Sequence, residues 1–211
     1  PQVRQTAFQR LRRDLPECHL QHFHLFFPID QFNEVNTFYI KDSLEEMDKT
    51  LYTSQVNRGN TELETLKLPK EAAFFLDEWG IPVPQESIMV SSNKIEVVFV
   101  PLLAYDQFGN RVGFGKGFYD SYLSKLKPEV LKIGLSFYGP EEKIQPESHD
   151  VRLDFCITPE KVFTFWQDST CHSLKKTLLL SFAILSLAMF TFLPQAIAQQ
   201  GYYNTMVGFR A

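Results

Sequence analysis

Between Asn110 and Asp120 the chain reads N-R-V-G-F-G-K-G-F-Y-D, with Gly113, Gly115 and Gly117 alternating with larger residues. Glycines without a Cβ reach positive φ and let successive backbone N–H groups converge on an anion. Arg111 and Lys116 stand in the same stretch, and both suit phosphate oxygens. Asp120 follows closely enough to hold a divalent cation that bridges those oxygens. The chemistry this predicts is the handling of a phosphorylated ligand. The spacing matches neither G-x-x-x-x-G-K-[ST] nor G-x-G-x-x-G, so the common nucleotide fingerprints do not apply. A glycine-rich structural turn is the bland alternative, and the co-location of Arg, Lys and Asp weighs against it.

The elements around this loop must place it. An apolar run, Ile95 to Leu103, precedes it, as expected of a strand covered on both faces in a parallel sheet. Tyr119, Tyr122, Leu123 and Leu126 recur at helical spacing after it, so a helix is predicted from near Phe118 to before Pro128, adding its N-terminal partial charge to the loop. Further strands are predicted at His22–Ile29, Lys49–Val56, Leu131–Phe137 and Phe155–Thr158. Thr37 is the expected N-cap of a helix through Phe38, Leu44 and Met47. Strands separated by helices give βαβ units. The fold class expected is therefore a three-layer α/β/α domain with a mostly parallel sheet and the loop at the C-terminal end of a central strand.

Other candidates are weaker. His22 and His24 share a strand face without a third ligand and read as partly exposed sheet residues rather than a metal site. Residues 57–94 are polar and irregular apart from a short amphipathic piece, Glu71 to Leu76, and the turn Trp79-Gly80-Ile81-Pro82-Val83-Pro84. In Glu147 to Asp154, Asp150, with or without Asp154, is expected to return to the same end of the sheet and complete the cation site begun by Asp120.

Composition narrows the class. The chain has 211 residues, a net charge of −4, scattered basic residues and 20 phenylalanines. That suits one domain with an aromatic core and argues against a nucleic-acid surface. Cys18, Cys156 and Cys171 lack paired-ligand spacing, so neither a disulfide framework nor a zinc site is expected, and a reducing compartment fits. Leu178 to Leu193 carries no charge, follows Lys175-Lys176 and precedes Ala196-Ile197-Ala198, the layout of a signal peptide at the wrong end of the chain. As a helix it would reach roughly 24 Å, short of a bilayer core of about 30 Å. Residues 1–166 are thus read as the α/β domain and 167–211 as an appended tail with an apolar helix over 177–193. That helix is a membrane anchor, a helix packed on the domain, or, the favoured reading, a fused neighbouring frame. The chain also opens without Met in the middle of a helical pattern (Val3 to Leu15), so an N-terminally truncated domain is expected.

The block from Val98 to Asp120, with K-I-G-L-S-F (Lys132 to Phe137), H-D-V-R-L-D (His149 to Asp154), W-G-I-P-V-P (Trp79 to Pro84) and the segment His24 to Thr37, resembles the 5-formyltetrahydrofolate cyclo-ligase (methenyltetrahydrofolate synthetase) family over about Ala7 to Phe165. The resemblance implies an ATP- and Mg2+-dependent conversion of 5-formyltetrahydrofolate to 5,10-methenyltetrahydrofolate. In family terms the formyl oxygen attacks the γ-phosphate, N10 closes on the activated carbon, and phosphate leaves. By the same resemblance, Arg111 and Lys116 are catalytic, and Arg111, Gly113, Phe114, Gly115, Lys116, Gly117, Phe118 and Tyr119 hold ATP. Glu34, Leu25, Trp79 and Tyr119 line the reduced-folate site, and Asp120 and Asp150 hold the metal. A cytoplasmic monomer without nucleic-acid partners is expected. The family's first helix carries a Lys and an Arg that contact ATP. That role is not carried onto Arg4, Arg10, Arg12 or Arg13, which fall in what resembles the second helix. An inactive or folate-binding fragment, or a sugar-phosphate isomerase or CoA-transferase activity on a similar scaffold, are the alternatives.

Overall fold

A computed structural model of the chain describes residues 19–29, 34–57, 62–78 and 80–165. An eight-stranded sheet runs through it in the order β12-β11-β10-β7-β1-β2-β3-β6. The five inner strands are β11 (Phe155–Ile157), β10 (Leu131–Leu135), β7 (Val97–Val100), β1 (His22–His24) and β2 (Thr50–Val56). They are mutually parallel, whereas β12 (Val162–Thr164), β3 (Leu63–Lys67) and β6 (Ile88–Met89) pair antiparallel at the two sides.

Alternation along the inner strands builds two apolar layers. Phe23, Leu51, Val97, Phe99, Ile133 and Phe155 belong to one, together with Ile40 and Leu44 of helix α1 (Phe38–Glu46). Tyr52, Val98, Val100 and Cys156 belong to the other, together with Tyr122 and Leu123 of helix α2 (Phe118–Ser124). Ile40 and Leu44 are one helical turn apart and so share one face of α1. All four residues of β7 are fully buried, the cause of the near-continuous apolar run in the sequence. From β1 the chain builds outward through α1 to β2 on one side and later through β7, α2 and β10 on the other. The β1/β7 boundary is therefore the switch point of the sheet, the place where open α/β sheets bind ligands beyond the carboxyl ends of their strands.

Local departures from the sequence expectations have physical causes. The aromatic run from His22 leaves the sheet after His24, and Leu25, Phe26 and Phe27 pack as buried non-strand residues in the first layer. Thr37 stands at the N-cap of α1 but makes no cap bond. Its hydroxyl donates instead to the Phe26 carbonyl at 2.5 Å, tying the helix start to the end of β1. The amphipathic piece at Glu71 to Leu76, to which the sequence assigns no element, supplies a strand: β4 (Phe74–Leu76) pairs with β5 (Pro82–Pro84) in a two-stranded ribbon. A stretch that short cannot separate the two periodicities. The N-terminal helical pattern, Trp79 and the whole 167–211 tail lie outside the described residues. Among the described residues no helix is long and apolar enough to cross a membrane.

Candidate active site

The glycine loop hangs from a small hairpin of β8 (Ala104–Tyr105) and β9 (Arg111–Val112). Asp106 organises that hairpin. Fully buried, its carboxylate accepts from the Phe108 and Asn110 backbone amides, the Asn110 side-chain amide and the Ile144 amide, each at 2.8 to 2.9 Å. Burial alone would raise its pKa, but the four hydrogen bonds to the charged form outweigh it and hold the group below the usual carboxylate value. Gly109 closes the turn at φ +82°. Beyond β9, Gly115 (φ +81°) and Gly117 (φ +66°) take the left-handed conformation expected of a phosphate loop, and Gly117 caps α2. Gly113 has no positive φ; it lies instead against the Arg111 guanidinium, which would stand 3.5 Å from a Cβ there. Residues 114–117, Lys116 included, form exposed surface, whereas α2 spans only seven residues.

Arg111 and Asp120 are joined. The Nη2 of Arg111 donates to Asp120 Oδ1 at 2.8 Å, with 4% and 12% of the two side chains exposed. The same oxygen accepts from the Val151 amide at 2.9 Å, which draws Asp150, the preceding residue, alongside Asp120. One oxygen therefore ties the entrance of the glycine loop, its exit and the 150–151 segment together. The Nε of Arg111 is buried without a partner. Asp150 itself accepts from the Glu147 amide at 2.8 Å. Asp154 does not join them: its Oδ2 accepts from both Nζ and the amide of Lys132, at 2.8 and 2.9 Å, at the opposite, N-terminal end of β10. Among the described residues no three His, Cys, Asp or Glu side chains cluster closely enough to hold a metal alone.

Glu34 and Tyr119 flank this cluster. Glu34 Oε2 accepts from the Ile29 amide at 2.8 Å. Burial raises its carboxyl to about 7 against the pull of that hydrogen bond. Burial, and after it the neighbouring Tyr122, likewise push the Tyr119 phenol far above its usual value. Arg111 is thus paired with Asp120 at the start of α2, Tyr119 of α2 lies edge-on to His24 of β1, and Glu34 is bonded to Ile29 in the loop that follows β1. Leu25 has no exposed surface and faces the core; Phe118 is half-buried and Phe114 exposed. His24, expected to be partly exposed, is fully buried beneath Tyr119 and Tyr122, because β1 is a central strand covered by α2. Ser54 carries no motif and its His24 partner lies 30 residues away, so sequence reasoning passed over it; the bonds of Asp106 to Phe108 and Asn110 are local, an Asx-turn signal that could have found it.

The 5-formyltetrahydrofolate cyclo-ligase family model matches residues 4–159. The chain belongs to that family. Among the cyclo-ligase relatives, the 5-formyltetrahydrofolate cyclo-ligase of Mycoplasma genitalium is 34% identical over 99 residues, 45% of this chain and 60% of that protein. The probable 5-formyltetrahydrofolate cyclo-ligase of Schizosaccharomyces pombe is 32% identical over 108 residues, 44% of this chain and 53% of its own length. The chain thus spans between half and two thirds of these cyclo-ligase relatives. The NMR structure of 5,10-methenyltetrahydrofolate synthetase from Aquifex aeolicus superposes with a TM-score of 0.62 at 24% identity, covering 82% of this chain and 87% of that one, so the cyclo-ligase fold is shared.

Proposed function

We propose that the protein catalyses the ATP- and magnesium-dependent conversion of 5-formyltetrahydrofolate to 5,10-methenyltetrahydrofolate in the cytoplasm, as a monomer. Family membership supports the reaction class. The single observation that carries the assignment to this site is the buried pairing of Arg111 with Asp120 at the base of the glycine loop, with the Val151 amide on the same carboxylate oxygen. When bound, ATP supplies the phosphoryl group that makes the formyl oxygen a leaving group, and magnesium offsets its charge.

The chain's own residues divide into two ends. At the nucleotide end, the amides of Gly113, Phe114, Gly115 and Gly117 and the ammonium of Lys116 hold the polyphosphate, while Arg111 contributes positive potential from beneath. Preorganised donors of this kind dominate phosphoryl-transfer catalysis. Asp120 and Asp150 fit a magnesium ion, which usually takes one or two protein carboxylates and fills its octahedron with phosphate and water. Asp120 Oδ1 is taken by Arg111 and Val151, so Asp120 would hold such an ion through its other oxygen. At the folate end, Phe118 and Tyr119 wall the pterin, whereas Leu25, with no exposed surface, does not reach it. Glu34, raised to about 7, hydrogen-bonds the pterin or formyl group and can exchange a proton near neutral pH.

Purified protein given ATP, Mg2+ and 5-formyltetrahydrofolate is expected to develop the near-ultraviolet absorbance of a methenyl product with release of ADP. Lys116→Ala should lower kcat/KM by about 100-fold or more, the cost of removing one preorganised oxyanion donor. No absorbance rise with the unaltered chain overturns the proposal. Substrate that raises the melting temperature without turnover identifies a binding-only protein, and turnover independent of nucleotide identifies an isomerase or transferase.

A further inference from the structure

We infer that Asp106 is a positioning residue that seats the surface segment 141–153 on the glycine-loop hairpin and so fixes Asp150 at the nucleotide end of the site. The inference rests on the functional reading above. Between Glu141 and Asp154 the chain forms neither helix nor strand, and most of its residues are exposed. Backbone amides hold it instead. Those of Glu141 and Leu153 donate to the Tyr105 and Gly109 carbonyls at 2.7 and 2.9 Å. Those of Ile144 and Val151 donate to side-chain carboxylates, Asp106 Oδ2 and Asp120 Oδ1, both at 2.9 Å. All four acceptors lie on the β8/β9 hairpin or on α2, the elements on either side of the glycine loop.

The two carboxylates bracket Asp150. Val151 follows it directly, and Ile144 stands three residues before the turn in which Asp150 Oδ2 accepts from the Glu147 amide and the Asp150 amide donates to the Glu147 carbonyl. Only Leu153 of this segment is buried, so the residues before it are placed chiefly by hydrogen bonds. Of the two anchors, Asp120 belongs to the site itself. Asp106 has no exposed surface and can act on a ligand only through what it holds. Its Oδ1 accepts from the Phe108 and Asn110 backbone amides of the turn that leads into Arg111, and its Oδ2 from the Asn110 side chain and Ile144. One buried carboxylate therefore joins the entrance of the glycine loop to a residue 38 positions later in the chain. Charged acceptors make stronger hydrogen bonds than neutral ones, which suits a group that must hold an exposed segment in one place.

Asp106→Asn separates this role from that of the turn, because a carboxamide oxygen serves one side only. Kept on the Phe108 and Asn110 amides it preserves both turn bonds, and the Asn110 side chain, whose Oδ1 is buried without a partner, turns over to accept from the new NH2 group. Ile144 then loses its acceptor. In ligand-free protein the variant is expected to speed hydrogen exchange of the Ile144 and Val151 amides about 2- to 10-fold, the range for one hydrogen bond, with Phe108 within twofold. Calorimetry should show the Kd for ATP with Mg2+ raised over the same range, while the KM for 5-formyltetrahydrofolate stays within twofold. Unmoved Val151 exchange, or an unmoved Kd for ATP, overturns the inference however the melting temperature responds. In the unaltered, ligand-free protein the Ile144 and Val151 amides should open together, with one dependence on urea. Separate openings overturn the inference even where the variant does not fold. No ATP binding or no turnover by the unaltered chain overturns the functional reading instead; the exchange rates, read without ligand, still decide whether Asp106 seats the segment.

Discussion

One carboxylate oxygen, Oδ1 of Asp120, takes both the Arg111 guanidinium and the Val151 amide, so the residue is structural before it is anything else. Removing it leaves a buried guanidinium uncompensated, a loss of roughly 3–5 kcal/mol. Asp120→Ala should therefore lower the urea midpoint as well as activity, and Arg111→Met on that background should recover part of the loss. A double-mutant cycle by urea unfolding that came out additive would contradict the pairing. Glu34 makes a second prediction, through pH. Its folded pKa is raised from 4.5 to about 7 by burial, so the folded state binds the proton more tightly than the unfolded chain. The stability it contributes is complete below pH 4.5 and is lost as pH rises through 7. Relative to wild type, Glu34→Gln should gain stability over that window, by at most roughly 3 kcal/mol. Melting temperatures of both proteins between pH 4.5 and 8 check this, and parallel curves would refute the burial of the carboxyl.

At the scale of elements, the site depends on a hairpin rather than a helix. β8 and β9 contribute two residues each, too few to hold a loop by ladder bonds alone, and the buried Asp106 carboxylate supplies what the ladder lacks. Gly109 is the corner that makes the hairpin fit. A Cβ there would lie 2.8 Å from Phe165 Cβ and 2.9 Å from the Leu153 carbonyl oxygen, at a φ of +82°. Backbone strain and a clash with main-chain atoms add, so Gly109→Ala should cost about 2–4 kcal/mol. Chemical denaturation measures the loss directly. A change below about 0.5 kcal/mol would mean that the turn relaxes and that the loop is not anchored as described. The lesser constraint at Gly117, open space around a positive φ, predicts a milder effect from strain alone.

On the scale of the whole molecule, α1 and α2 cover opposite faces of the sheet, and the proposed ligands span the loop after β1 and the glycine loop after β9. A ligand bridging those loops stabilises the fold by linkage. ATP with Mg2+, together with 5-formyltetrahydrofolate at about a hundred times its Kd, should add close to 3 kcal/mol and raise the melting temperature by several degrees. Differential scanning calorimetry with and without ligands reads this; no shift means no binding. Much of this architecture was legible in the order of residues. The buried run Val97–Val100, the left-handed glycines before α2 and the helix carrying Tyr122 and Leu123 are local, set by side-chain branching, missing Cβ atoms and helical period. Other features were not legible. Strands β3 to β6 lie in polar sequence whose pairing is set by neighbours, and β12 is three residues long. Nothing local distinguishes Asp150, beside Asp120, from Asp154, bound to Lys132. Local chemistry thus determined the loop, its flanking strand and helix, and the family. Tertiary structure alone decided that Arg111 pairs with Asp120, that His24 is buried, and that Ser54 meets His24, because burial and pairing here follow from the order of strands in the sheet and the packing of α2 rather than from sequence spacing.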